Sequence, residues 1–215
     1  MSEKLLNLTK ALIFRITHVD NVPWILDHGL HCRNSDVRDP NFREIGNRDL
    51  IAKRLQHPIP VEPGGTLADY VPFYFTPWSP MQMNIVTGYQ GTPHTPASDI
   101  AFLVSSVPTL DANRLVYVLT DRHAYLATAR FATDSRGLKN VDWGILQARD
   151  FERSDDDPGK VERYQAEALV HKHLPVEAIQ GIVVRDQGPK SEVKAELQRR
   201  SLSIKLFDKP DWYFR

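Results

Sequence analysis

The chain has 215 residues, 41% of them hydrophobic, and 27 basic residues balance 27 acidic ones for a formal net charge of zero. That length suits one domain with a sizeable core, and the charge balance excludes a generally basic, non-specific nucleic-acid binder while leaving room for a local basic groove. A single cysteine, Cys32, excludes an internal disulfide and a multi-thiolate zinc site, and no stretch reads as a signal peptide or membrane span, so a soluble cytoplasmic protein is expected. A monomer is the expectation for its assembly, on which these features are silent.

In chain order, Leu12 to Thr17 predicts a first strand. Asp20 or Asn21 can cap a short helix that carries Pro23 in its first turn and ends at Gly29. Residues 31–66 are polar and rich in Pro and Gly, the composition of a long loop with a functional role or of a disordered one. Ala68 to Phe75 turns apolar and aromatic, and Pro77-Trp78-Ser79-Pro80 stops it. Further strands are expected at Ile100–Ser105 and Leu115–Leu119, with Asp121 starting a helix through Arg130. Glu152 to Asp157 reads as a solvated loop, and Val161 to His171 as a strand. Gly181–Arg185 follows as a buried strand, Ser191–Arg200 as a charged amphipathic helix, and Leu202–Phe207 as an alternating strand. Strands and helices mix without regular βαβ alternation, which predicts a single α+β domain over 1–215.

Glu167 is the anomaly in this pattern. It lies in Gln165-Ala166-Glu167-Ala168-Leu169-Val170, a run that should exclude a carboxylate. On a strand it shares a face with Leu169 and His171. A carboxylate half-sunk there needs a partner: a structural arginine, or the ribose hydroxyls and developing cation of a substrate.

Three polar clusters accompany it. Phe14-Arg15-Ile16-Thr17-His18-Val19-Asp20-Asn21 packs donors where a strand turns into a helix, a junction suited to an amide or phosphate or simply to capping. Lys53-Arg54 precedes Pro63-Gly64-Gly65 and the aromatics Tyr70, Phe73, Tyr74 and Phe75, which either stack a base or fill the core. Thr120-Asp121-Arg122-His123-Ala124-Tyr125 follows a strand directly, as a substrate-facing rim or an ordinary helix start. His28 with His31, and His171 with His173, lack a third metal ligand at recognisable spacing, so no metal is expected.

Ile16-Thr17-His18 to Asn21, Pro63-Gly64-Gly65 through Phe75, Ser79-Pro80-Met81, Leu103-Val104-Ser105-Ser106, Thr120-Asp121-Arg122-His123, Gln165-Ala166-Glu167 and Asp211-Trp212-Tyr213 run in the order of one family. As an ordered set they resemble the DarT DNA ADP-ribosyltransferase toxins. The resemblance implies a split, strongly bent β-sheet core with surrounding helices and an NAD⁺ cleft. It implies a toxin that transfers ADP-ribose from NAD⁺ to a base of single-stranded DNA, releasing nicotinamide, with a macrodomain antitoxin as partner. By motif position Arg54, Glu167 and His123 would be catalytic. Arg15, Ile16, Thr17, His18, Asn21 and Arg54 would line the NAD⁺ site, under a loop from about Arg33 to Arg54. Tyr74, Trp78, Met81, Arg122, His123 and Tyr125 would meet DNA, and Arg33, Arg38, Arg43, Lys53, Arg54 and Arg122 are the candidates for a local basic patch.

Two features depart from the pattern. Phe14-Arg15 stands where thymine-modifying members carry Tyr-His, and Phe42 to Asn47 with Pro77-Trp78-Ser79 looks closer to a guanine-modifying branch, which leaves the base open between thymine and guanine. A fixed carboxylate favours the cation that develops as the nicotinamide bond breaks, so Glu167 must act ionised. A guanidinium does not deprotonate, so Arg54 would act electrostatically. The competing readings are transfer to RNA or protein or simple NAD⁺ hydrolysis, a catalytically silent nucleic-acid-binding module, and a purely structural domain.

Overall fold

The computed structural model describes residues 5–214. Among the described residues ten strands run in chain order: β1 Leu12–His18, β2 Leu30–His31, β3 Tyr70–Tyr74, β4 Ile100–Ser106, β5 Tyr117–Thr120, β6 Phe131–Ala132, β7 Glu167–His171, β8 His173–Leu174, β9 Gly181–Val184 and β10 Lys205–Phe207. Eight of them form one sheet in the order β10-β9-β4-β1-β3-β7-β5-β6, and β2 pairs with β8 apart from it. Every pairing is antiparallel except β9 with β10. The helices are α1 Val22–His28, α2 Arg48–Arg54, α3 Pro80–Thr87, α4 Val107–Ala112, α5 Trp143–Ala148, α6 Lys160–Tyr164 and α7 Gln187–Arg199. The expected α+β architecture is therefore present.

The sheet is split at its centre. β1 pairs with β4 along its whole length, from Leu12↔Ser106 to His18↔Ile100, but meets β3 only at Phe14↔Tyr74. β3 in turn pairs fully with β7, from Tyr70↔His171 to Tyr74↔Glu167. The half-sheets thus join at one apex and splay apart beyond it, so Arg15, Ile16 and Thr17 lie across a gap from Phe73, Pro72 and Val71. The Arg15 guanidinium spans that gap, Nη1 donating to the Pro72 carbonyl at 3.3 Å.

The C-terminal segment seals the other side of this junction. Trp212 sets its ring edge-on to Phe14 and Phe102, with centroids 5.1 and 5.9 Å away. The Tyr213 hydroxyl lies 3.1 Å from the Ile100 carbonyl and 3.0 Å from that of Val183, tying β4 to β9. Buried Gln82 on α3 completes the clasp, donating to the Trp212 carbonyl and accepting from the Phe214 amide.

Three elements differ from the sequence expectation, the first being α2, a helix capped by the Asn47 side chain inside the stretch 31–66 expected as a loop. No helix forms after Asp121, because the amides of that stretch are already engaged: His123 donates to the Glu162 carbonyl and Ala124 to the Glu167 carboxylate, while Asp121 closes the loop on Arg130. The strand expected from Val161 begins only at Glu167. Residues 160–164 turn as α6 instead, held by Lys160 on Asp150 and by Arg163 on Asp142 and Asp157. From Glu167 onward the alternation holds: Leu169 packs with Tyr70, Val118 and Ala124 in a small satellite cluster, while Ala168 and Val170 face the main core.

Trp212→Ala empties an aromatic site at the sheet junction and is expected to cost about 3–5 kcal/mol. Urea unfolding monitored by circular dichroism measures it, and a loss under 1 kcal/mol would show that the C-terminal segment is not part of the core.

Candidate active site

Glu167 opens β7 and is completely shielded from solvent, at 0% exposure. A bare carboxylate could not remain ionised there. Its partner comes from 113 residues away: Arg54, last residue of α2, docks its guanidinium in parallel, Nη1 to Oε1 at 3.2 Å and Nη2 to Oε2 at 3.0 Å. The Ala124 amide donates a third hydrogen bond to Oε1 at 3.0 Å. Burial pushes the Glu167 carboxyl up, but Arg54, with His123 and the Ala124 amide, outweighs it and holds the group below the ordinary glutamate range. The guanidinium, depressed by burial and raised more by Glu167, sits above its usual value. Both members are charged.

Local chemistry orients the carboxylate. The Glu167 amide donates to the Thr120 hydroxyl at 3.0 Å, and that hydroxyl donates to the Arg122 carbonyl at 2.6 Å. Thr120 thus ties the end of β5 to the start of β7 beside the turn that carries His123. The His123 Nδ1 lies 3.9 Å from Glu167 Oε1 and accepts the Tyr125 amide at 3.2 Å. Burial holds this ring below the ordinary histidine range, so it is neutral near pH 7 and its proton belongs on Nε2 by that hydrogen-bond assignment.

The gap in the sheet opens into a cleft beside this pair. Arg15, Ile16, Thr17, Tyr74, Met81 and Glu167 line it, with apolar walls from Trp24, Ile25, Leu30 and Leu67. Its roof is the expected stretch, contributing Arg33, Arg38, Asp39, Phe42, Glu44, Ile45 and Arg54. Four arginines therefore meet three carboxylates, a slight positive excess that suits a diphosphate. Arg15 keeps its buried Nε without a hydrogen-bond partner, and burial lowers its pKa. Among the described residues no group of three or more His, Cys, Asp or Glu could hold a metal ion, and no helix is long and apolar enough to cross a membrane.

His18 and Asn21 are not on the cleft wall. The His18 Nδ1 accepts the Asp20 amide and caps a helical turn at Val19–Asn21. Buried Asn21 holds the roof instead: its amide nitrogen donates to Thr17 and to the Arg43 carbonyl, and its oxygen accepts the Arg43 amide at 2.8 Å. Trp78 is not on an open rim either, because its Nε1 is spent on the Asp211 carbonyl and the Arg149 guanidinium lies 3.3 Å over its ring. Arg122 is turned onto Asp121, and Tyr125 packs against His57. Of the basic residues expected to form a DNA patch, Arg33 pairs with Glu44, Arg43 with Asp20 and Arg54 with Glu167; Lys53 is exposed. Sequence reasoning missed Thr120 as an anchor, the Ala124 amide as a donor and the packing of His57 against Tyr125. A backbone amide carries no residue signature, and a lone histidine after a charged helix attracts no attention.

Residues 14–214 match the family described as DarT, ssDNA thymidine ADP-ribosyltransferase. The chain belongs to the DarT family. It is 49% identical over 209 residues to a DNA ADP-ribosyl transferase of Escherichia coli O127:H6, covering 97% of this chain and 96% of that one. The structure of Thermus sp. 2.9 DarT in complex with ADP-ribosylated ssDNA superposes with a TM-score of 0.88 at 33% identity, over 99% of this chain and 100% of that one. The NAD⁺ complex of the same protein gives 0.79 at 35% identity, over 95% and 98%. A Thermosipho africanus protein named as a DNA ADP-ribosyl transferase fused to a DNA ADP-ribosyl glycohydrolase is 23% identical over 193 residues, covering 89% of this chain and 47% of that protein. The DarT resemblance of the ordered motifs is thereby confirmed, together with an NAD-dependent DNA ADP-ribosyltransferase fold.

Asn21→Ala releases both ends of the Arg43 peptide from the α1 junction and so loosens the roof. We expect about tenfold weaker NAD⁺ binding, the size of one or two lost hydrogen bonds, with a much smaller change in kcat. Calorimetric titration with NAD⁺ decides it, and unchanged affinity would mean the roof is held by other contacts.

Proposed function

We propose that this chain acts as a single catalytic unit that moves ADP-ribose from NAD⁺ onto thymine in single-stranded DNA, in the cytoplasm, as the toxin of a pair. The family description names thymidine, which favours that base over the guanine suggested by Phe42 to Asn47. The antitoxin would be a macrodomain glycohydrolase; support comes from the fused Thermosipho relative. The observation that carries the reading is the Arg54–Glu167 pair, buried and charged on the wall of a cleft with diphosphate-compatible lining.

NAD⁺ would enter beneath the 33–54 roof, its two phosphates among the arginines. A carboxylate has about four acceptor sites. Arg54 and Ala124 use three on Glu167, and the second site of Oε2 is left for a ribose hydroxyl. As the bond between ribose and nicotinamide breaks, its electron pair leaves with the neutral nicotinamide and positive charge spreads over the anomeric carbon and ring oxygen. Glu167 stabilises that charge in a site shielded from water, where the effect is largest. The thymine ring nitrogen that still bears a proton in DNA bonds to the anomeric carbon and gives up that proton to water, so that NAD⁺ and thymine become ADP-ribosylated thymine, neutral nicotinamide and one released proton. Negative charge moves onto the base carbonyls as it does so. His123, with its proton on Nε2, serves there as a hydrogen-bond donor, and Arg54 as a fixed cation. Neither takes the base proton in this arrangement.

Glu167→Gln keeps the shape of the side chain and removes the charge. Transfer should fall by about a hundredfold or more, while NAD⁺ still raises the melting temperature. Digesting a treated oligonucleotide to nucleosides and weighing them tests both claims. The unaltered protein should add one ADP-ribose mass to thymidine, and mass on deoxyguanosine alone would refute the assignment of the base.

The pH profile follows from the same groups. Glu167 is held below the ordinary carboxylate range and His123 below about 6.5, so neither changes charge between about pH 6.5 and 8. We expect kcat/KM to be level across that window and to fall only on the acid side as His123 gains a proton. A limb breaking above pH 7 would assign the step to another group.

A further inference from the structure

We propose that His57, stacked with Tyr125, is the seat for the nucleobase adjacent to the one modified, beside the Arg54–Glu167 pair and off the lining of the NAD⁺ cleft. The inference rests on the proposed DNA transfer and assigns a residue that the transfer chemistry leaves idle. Arg54 and Glu167 both line the cleft, but His57, His123, Ala124 and Tyr125 do not. They gather at Oε1 of the carboxylate, which the Ala124 amide holds and from which the His123 Nδ1 lies 3.9 Å. Glu167 thus meets both the donor compartment and this second group of residues.

That surface has the properties of a stacking platform. The His57 and Tyr125 rings lie 4.6 Å apart at 41°, and each is only partly buried. Both rest on rigid supports. The His57 carbonyl accepts the Leu67 amide at 2.9 Å, and Ile59 is bonded to the Gly65 carbonyl across the same turn. Tyr125 packs over the satellite cluster, and its amide fixes His123. Burial and the nearby Arg54 cation hold the His57 imidazole below its ordinary pKa, so it offers a neutral ring and not a phosphate clamp. Base–aromatic stacking needs nothing more than such a face and tolerates any base. The base at the reaction centre meets Arg54 and His123, so the ring pair one layer further out meets its neighbour.

Steady-state kinetics with NAD⁺ and a short oligonucleotide test this. His57→Ala should raise the KM for DNA about tenfold, with kcat within about twofold and NAD⁺ affinity unchanged. His57→Phe should restore the KM, which a merely structural role would not predict for loss of the imidazole nitrogens. An abasic site next to the target thymidine, on one side, should raise the KM for the unaltered protein and for His57→Phe by a similar factor. It should add nothing for His57→Ala. Unchanged KM in His57→Ala, or an abasic penalty that persists in it, overturns the seat. If His57→Ala proves unfolded by its NAD⁺ thermal shift, His57→Phe with the abasic series decides alone, and an abasic penalty absent from both it and the unaltered protein is the refuting result. Failure of the unaltered protein to modify DNA at all would instead refute the proposed function.

Discussion

The bond on which the rest depends is the fork between Arg54 and Glu167. Removing either partner strands a buried charge, which typically costs 3–5 kcal/mol, whereas the intact pair with its Ala124 hydrogen bond is close to self-sufficient. The pair also fastens α2, and with it the end of the roof, to the first residue of β7. One interaction therefore positions the carboxylate, keeps it ionised and ties down the segment that covers the cleft. Function and stability draw on the same hydrogen bonds here, so a residue change that strengthens one cannot be assumed to spare the other.

The cleft itself follows from incomplete pairing. A sheet in which β1 and β3 paired along their length would place backbone where the cleft now lies, and Arg15 would have no gap to span. The single contact at Phe14↔Tyr74 leaves the strands free to diverge, and the core on the far side compensates. Trp212, Tyr213 and Gln82 fill and hydrogen-bond the back of the junction, and Trp78, capped by Arg149, anchors the same segment. An aromatic that looks like a base-stacking surface in the sequence thus proves to be part of the clasp that holds the split open.

Much of this was legible in the residues because the strongest signals are ones of inconsistency. A glutamate in an apolar run demands a partner, and that demand is met by the arginine that motif order proposes. The strands at Leu12, Ile100 and Gly181 were legible too, since buried runs of β-branched residues have few other homes. The helix expected after Asp121 and the strand expected from Val161 failed for a shared reason. Local propensity competes there with tertiary hydrogen bonds and ion pairs that no window of sequence contains. Asn21 shows the limit most clearly: its identity marked it as a cap, yet its side chain is committed to a peptide 22 residues away.

Charge distribution separates the two sides of the site. On the cleft side, arginines exceed carboxylates, and buried Arg15 keeps a donor without a protein partner. A dinucleotide with two phosphates and one pyridinium cation can satisfy that excess. Elsewhere, several of the basic residues that might have drawn DNA are neutralised by their own acids, Arg43 by Asp20 and Arg122 by Asp121. A chain with no net charge cannot hold DNA by a broad field, and attraction through a few phosphates is weak and salt-sensitive. Selection of the strand must then rest on short-range contacts, on ring faces and on the fit of an unstacked base. Single-stranded DNA is the form of the polymer that can supply such a base at least cost.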